Sequence, residues 1–459
     1  MKATILLIVM MALIMACNKD FLDKKSSSSI VIPQTVSDFR AMLENVIVYQ
    51  STGALGQLAS DEYYYLNKSG WQAATTATER QSYIWGKDVF GGDVAVKDWN
   101  DPYSAIFYAN NVLDGLATLK DSIGNTEFNF VKGWAYFVRA YEYYDLVRNF
   151  SPAYDSATYS SDLGVPLKLH SGIDNNEARS SVKDCFDRIL EDVGASIRLL
   201  PAQYPSGHPN QPSKSAAYGL LARIFLYMRV YDKAYSYADS ALSLHDTLID
   251  YNTLNANSNY PFANDNVESI YTTSQVLKYT ATVVGNNSRM IAVDSNLLRA
   301  YESNDLRLNV YFRTRTYNNV TMRGGYYGTG LYPYTGLSVD EMFLIRAEGA
   351  ARLGYMNIAV DDLNKLLYKR YRTGTYGPRI FADKDSLLSA ILMERRKELI
   401  WRGLRWSDLK RLNREGANIT LTRNLDGEMY RLEANSPNYV FNIPSDEIAL
   451  SGITQNVRN

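Results

Sequence analysis

Hydrolysis of a glycosidic bond needs two carboxylates facing each other across a cleft, so the acids of this chain are the first residues to weigh. Asp61-Glu62 and Asp340-Glu341 are adjacent pairs, and Glu394 and Glu398 sit one helical turn apart in LMERRKELIWRGLRWSDLKRL. Adjacent acids point apart on a helix or a strand. Glu394 and Glu398 are interleaved with Arg395, Arg396, Lys397, Arg402 and Arg405, which suits ion pairing along and between helices. A surface glycosidase would have to use Asp61 and Glu62, the acids placed among aromatic residues. The three histidines, His170, His208 and His245, have no ligand spacing with another His or Cys, and no GxSxG, P-loop or GxGxxG pattern occurs. Cys185, in VKDCFDRIL, falls on the inner face of a helix and reads as a small buried hydrophobe rather than a nucleophile. No catalytic residue, metal ligand or cofactor is expected. Whether Asp or Asn side chains hold a structural calcium ion is left open at this stage.

Binding chemistry is better represented. Tyr (36) outnumbers Phe (15) more than twofold, beside 6 Trp, and a tyrosine offers a flat apolar face with a hydroxyl at its rim. DEYYYLNKSGW (61–71), RQSYIWG (80–86) and RGGYYGTGLYPYTG (323–336) set aromatics among Gly, Asn and Thr. Sugar rings present C–H faces that stack on such planes, and hydroxyls that need polar partners. The stacking candidates are Tyr64, Tyr65, Trp71 and Trp85 in the first two clusters and Tyr326, Tyr327 and Tyr332 in the third. Asn67, Arg80 and Arg323 are the polar candidates. The competing reading is that these rings pack their segments onto the rest of the fold.

The elements that must carry these clusters are mostly helical. Thr35 to Val48 puts Phe39, Met42, Leu43 and Val46 on one face, with Ser37 as a candidate N-cap. Further helices are predicted over Tyr103 to Leu119, Val131 to Val147, Ser181 to Leu200 and Ser213 to Leu244. The last divides around residues 229–232 into an antiparallel pair with small residues at Ala222, Ala234, Ala238 and Ala241. DEMFLIRAEGAARLGYMNIAVDDLNKLL repeats the layout: Ala347 precedes Ala359 by the interval that separates Ala222 from Ala234, and Gly354 marks the turn. The predicted fold class is therefore mainly α, a tetratricopeptide-like helix-pair scaffold. Long segments at about 51–98, 151–179 and 245–338 interrupt it. These are expected to be irregular inserts with short strands and the ligand face, and 417–459 is expected to be an irregular tail.

At the N-terminus, Lys2 precedes an apolar run from Ile5 to Met15 that is too short for a permanent membrane span. Ile14-Met15-Ala16-Cys17 has the form of a bacterial lipobox. Residues 1–16 then read as a signal peptide, Cys17 as the lipidated first residue, 17–30 as a tether and 31–459 as one domain. Each buried acyl CH₂ contributes about 0.8 kcal/mol, so several chains hold a protein on its membrane where one does not. The 48 Lys and Arg against 49 acids argue against nucleic acid as a partner. With Cys17 acylated, Cys185 has no cysteine to pair with.

Taken in order, CNKDFLDKK after the lipobox, WNDPYSAIFYANNVLDGL, WAYFVRAYEYYDLVRNF followed by GVPL, VDEMFLIRAEGAARLG, ERRKELIWRGLRWSDLKRL and the closing YVFNIPSDEIALSGITQN resemble the SusD/RagB family. The resemblance implies a lipoprotein on the outer face of the outer membrane of a Bacteroidetes-type bacterium. Such proteins cap a SusC-like TonB-dependent barrel and deliver a glycan, or in some members a peptide, without catalysis. A helical scaffold protein with no nutrient ligand is a further alternative. The resemblance also makes Arg346, Glu348, Glu394, Arg402 and Trp406 scaffold residues. Lys19-Asp20 matches the family's charged export signal only in part, because Phe21 follows.

Overall fold

The computed structural model describes residues 32–172, 176–202, 207–264, 266–285, 290–315 and 318–459. Residues 1–16, Cys17 and all but the last few positions before Gln34 lie outside these ranges, so the lipobox and tether are not described. The long helices, numbered among themselves, are α1 (Lys97–Thr118), α2 (Thr126–Phe150), α3 (Val182–Leu199), α4 (Lys214–Met228), α5 (Tyr231–Leu244), α6 (Val339–Leu353), α7 (Met356–Tyr368), α8 (Lys384–Glu398) and α9 (Arg405–Arg414). They pack in sequence-adjacent pairs, α1 on α2, α2 on α3, α4 on α5 and α6 on α7, with α5 against α6 joining two pairs. Helix-rich architecture of this kind is the expected tetratricopeptide-like scaffold.

Local chemistry explains where the helices begin and end. Ser213 accepts from the Ala216 amide to cap α4, and Arg229 takes a left-handed conformation (φ 63°) to end it. Gly354, at φ 86°, ends α6 in the same way. Ala222, Ala234, Ala347 and Ala359 are all fully buried, so the small residues do sit where paired helices approach closely. Near the N-terminus, Thr35 rather than Ser37 is the cap: its hydroxyl accepts from the Asp38 amide, and the Asp38 carboxylate accepts from the Thr35 amide, giving a capping box for Val36–Leu43. Phe39 and Leu43 of that helix are buried, but Val46 belongs to a separate short turn and is half exposed.

The inserts contain more regular structure than their sequences suggest. Residues 51–98 include the short helices Leu55–Ala59, Lys68–Gln72 and Ala77–Tyr83. Strand Tyr63–Tyr65 pairs antiparallel with Ile291–Val293, Phe312–Thr314 with Val320–Met322, and Ser269–Tyr271 with Leu337–Ser338. The expectation of an irregular tail is corrected: Leu421–Leu425 and Glu428–Leu432 form a hairpin around Asp426-Gly427. Both turn residues have positive φ (54° and 95°), the conformation a two-residue Asp-Gly turn favours. The closing segment is latched to α2, the Asn456 amide donating to the Phe150 and Phe441 carbonyls at 2.8 Å.

Buried ion pairs tie the third insert to the scaffold. Arg307, fully buried, meets Asp305 at 2.7 Å and Glu394 and Glu398 of α8 at 2.8 Å each. Arg370 bridges Glu398 and Glu268 at 2.7 Å, and within the scaffold Arg402 meets Asp340 at 2.6 Å. Pairs this deep bring little net stability over apolar packing, but leaving one partner behind is costly. They join the segments around Glu268 and Arg307 to α8 and to Arg370 after α7.

Candidate ligand-binding cleft

Four separated segments meet around a cleft of about 380 Å³. Tyr49 and Gln50 end the short Val46–Tyr49 helix, Asn210 comes from the turn before α4, and residues 272–277 and 327–334 form the remaining walls. Main-chain hydrogen bonds hold the segments in register: the Ser274 amide donates to Tyr49 C=O (3.1 Å), Thr272 to Pro209 C=O (2.7 Å) and Gln275 to Pro333 C=O (3.1 Å). Such a frame is built before any ligand arrives, which lowers the entropy cost of binding.

The lining combines what a sugar requires. Tyr49, Tyr327 and Tyr332 are half-buried rings, and Leu277 and Leu331 are 49% and 57% exposed. Gln50, Asn210 and Ser274, half-buried on the same walls, supply polar groups for ligand hydroxyls. Tyr327 leans on Tyr334 (centroids 6.3 Å, planes 29° apart). Tyr334 in turn donates its hydroxyl to Leu337 C=O at 2.5 Å, which anchors the ring behind Tyr327.

Of the sequence candidates, the structure brings only Tyr327 and Tyr332 to this cleft. Tyr65, Trp85 and Tyr326 are corrected: none has a ring face free for a ligand. Tyr65 is 4% exposed and stands edge-on to Tyr83 at 4.8 Å. Trp85 is 3% exposed, its indole N–H donating to Ala59 C=O at 3.0 Å, with the Arg423 guanidinium over the ring. Tyr326 lies under the Arg402 guanidinium at 3.4 Å, with its hydroxyl on buried Glu268. Trp85 and Tyr326 thus pack against buried arginines, and Tyr65 packs against another ring.

The other candidates lie apart from the cleft. Tyr64 points outward from its strand and is 37% exposed. Asn67 caps the Lys68–Gln72 helix through Gly70 N–H (2.7 Å). Trp71 is half buried, its indole N–H donating to Arg80 C=O at 2.9 Å, while the Arg80 guanidinium donates to Ala74 C=O at 2.6 Å. Arg323 faces a different cavity. Sequence reasoning missed Tyr49, Asn210, Thr273 and Leu277, because each comes from a segment without an aromatic cluster of its own. Leu331, inside the third cluster, was passed over for its tyrosine neighbours.

Asp61 and Glu62 do not form a hydrolytic pair. Asp61 is clasped by Arg405 at 2.7 Å and Arg396 at 3.0 Å, and these charges hold its carboxyl below the usual range against the cost of burial. Glu62 is buried, accepting from the Gln57 amide (2.7 Å) and the Trp401 N–H (3.2 Å), and burial raises its pKa to about 7. A cavity of about 250 Å³ beside α9 contains Lys410, whose ammonium donates to Arg148 and Ser151 C=O at 2.8 Å. Burial and the nearby Arg148 lower it to about 7. Tyr439, the one aromatic ring among its described lining residues, is buried. Cys185 is buried as expected, which pushes its thiol up to about 11.

The pattern of a family described as starch-binding and associating with the outer membrane matches residues 20–226, and that of the SusD family matches residues 295–457. The chain belongs to the SusD/RagB family. A SusD-like protein of Formosa agariphila is 24% identical over 388 residues, covering 69% of this chain and 72% of its own. A SusD superfamily structure from Bacteroides thetaiotaomicron superposes with a TM-score of 0.75 at 20% identity, covering 92% of this chain and 100% of its own. A putative sugar binding protein from Bacteroides vulgatus gives 0.72 at 20% identity, covering 93% and 99%. The residues expected to be scaffold positions make contacts between scaffold elements here: Arg346 with Asp362 (2.6 Å), Glu348 with Arg411 (2.6 Å), and the Trp406 indole N–H donating to Tyr439 C=O (3.2 Å).

Proposed function

We propose that this SusD/RagB protein is a non-catalytic surface lipoprotein that captures an oligosaccharide or polysaccharide and passes it to a SusC-like TonB-dependent transporter in the outer membrane. Residues 1–16 serve as the signal peptide, acylated Cys17 and the 17–30 tether as the anchor, and 31–459 as the binding body facing outward. The observation that carries the reading is the cleft between Tyr49, Leu277, Tyr327 and Tyr332, where half-buried rings lie beside the polar side chains of Gln50, Asn210 and Ser274. A preformed mixture of apolar faces and hydrogen-bonding groups suits a sugar ring. The matched family description, starch-binding and associating with the outer membrane, supports the same reading. The test is calorimetric titration of the chain from Ser26 onward against purified polysaccharides, host glycans and peptides. Binding confined to a glycan class supports it, and binding confined to peptides replaces it with a peptide carrier.

A further inference from the structure

The hairpin Phe312–Thr314/Val320–Met322 and the residue after it carry two arginines that lack the partners found at the molecule's deeply buried arginines. Arg139, Arg223, Arg307, Arg370, Arg402 and Arg411 each meet a carboxylate at 2.6 to 2.7 Å. Arg423 and Arg458, buried without a carboxylate, instead donate to three main-chain carbonyls apiece. Arg313 and Arg323 do neither. Arg323 donates to Ser258 C=O at 3.1 Å and leaves its buried Nε without a partner, and Arg313 reaches only the Asn259 side-chain oxygen. Among the described residues no carboxylate offsets either charge.

The two guanidiniums are neighbours by register. Arg313 stands opposite Thr321, and the Arg323 amide donates to Tyr311 C=O at 2.7 Å, so residues 313 and 323 are diagonal across the ladder on one face. Burial and the Arg313 charge both disfavour the charged form of Arg323, and Arg315 feels the same two guanidiniums. The backbone is tight here as well: a Cβ on Gly324 would lie 2.7 Å from Asn259 C=O, so a glycine at 324 lets the 258–260 loop, with its two acceptors, lie close to the hairpin. Arg313 and Arg323 line a cavity of about 430 Å³ whose other walls include Leu298, Leu308, Phe312 and Val320.

We infer that this cavity is a binding site, separate from the Tyr327/Tyr332 cleft, for the carboxylate or sulfate group of an acidic sugar. Two adjacent cations with spare donors gain from a shared anion, which relieves their repulsion and forms charge-assisted hydrogen bonds. The apolar walls accept the ring that bears the group. The identity of the carrier as a sugar rests on the function proposed above, whereas the anion site does not.

The test titrates the full chain in detergent with oligogalacturonate as the carboxylate probe, sulfated carrageenan oligosaccharide as the sulfate probe, a neutral maltooligosaccharide and hexaglutamate, at low and high salt. Wild type is expected to bind at least one acidic oligosaccharide, more weakly at high salt. Arg313→Ala and Arg323→Ala each reduce that affinity about tenfold, the loss expected for one charge-assisted contact. Arg313→Glu, at the less buried position, repeats the result if Arg323→Ala lowers thermal stability. Acidic-sugar affinity unchanged by these substitutions overturns the inference. So does failure of wild type to bind either acidic oligosaccharide, or capture of hexaglutamate in their place. Binding of the neutral glycan alone would overturn the inference while leaving the proposed function standing.

Discussion

Tyr327 rests against Tyr334 with ring centroids 6.3 Å apart, and Tyr334 is pinned beneath it by hydroxyl contacts to Leu337 C=O at 2.5 Å and Tyr271 C=O at 3.0 Å. One ring is half exposed and the other is a fixed floor. That division of labour separates binding from stability in a stretch rich in tyrosine.

It follows that Trp85 and Tyr332 respond oppositely to truncation. Trp85→Ala removes a fully packed indole and its hydrogen bond to Ala59, and is expected to cost about 3–5 kcal/mol in urea unfolding. Tyr332→Ala is expected to leave the unfolding midpoint nearly unchanged and to weaken glycan binding about tenfold, measured by calorimetry.

The scaffold was legible because its signals are local. Ala222/Ala234 and Ala347/Ala359, with Arg229 and Gly354 at the turns, encode paired helices within single stretches of chain. The cleft was not, because Tyr49, Asn210, Thr273 and Tyr332 become neighbours only after the inserts fold onto the scaffold. Nor could the sequence separate Tyr326 from Tyr327, since Arg402 and Glu268, which claim Tyr326, come from distant segments. The Asp426-Gly427 turn carried a readable hairpin signal and shows that the tail was under-read rather than unreadable.

Arg307 supplies a test of the buried ion network. Arg307→Met strands Asp305, Glu394 and Glu398 beside the remaining cations Arg370 and Lys397. A loss of about 3–5 kcal/mol is expected by urea denaturation, in keeping with removal of one partner from a buried pair.

Glu62 makes stability depend on pH. Its folded pKa, raised by burial from 4.5 to about 7, means that the native state binds this proton more tightly than the unfolded chain. Its contribution is therefore greatest below about pH 4.5 and is lost as pH rises toward 7. Glu62→Gln should flatten the stability profile over that window and unfold at higher urea than wild type at pH 8.

Gly336 closes the segment after the cleft. A Cβ there would overlap the Tyr271 carbonyl oxygen and crowd the Tyr334 ring. Gly336→Ala is expected to cost about 1–3 kcal/mol through overpacking and, by displacing Tyr334, to weaken glycan binding as well. Circular dichroism melts and titration on the same sample check both.

The most direct measurement compares the calorimetric affinity of the chain from Ser26 onward with that of its Tyr327→Ala/Tyr332→Ala double variant, for the glycan that wild type binds best in the panel. A loss of about a hundredfold, the sum of two stacking contacts, at an unchanged melting temperature is predicted. Undiminished affinity in a stably folded double variant would contradict the assignment of the cleft as the place where this protein holds its ligand.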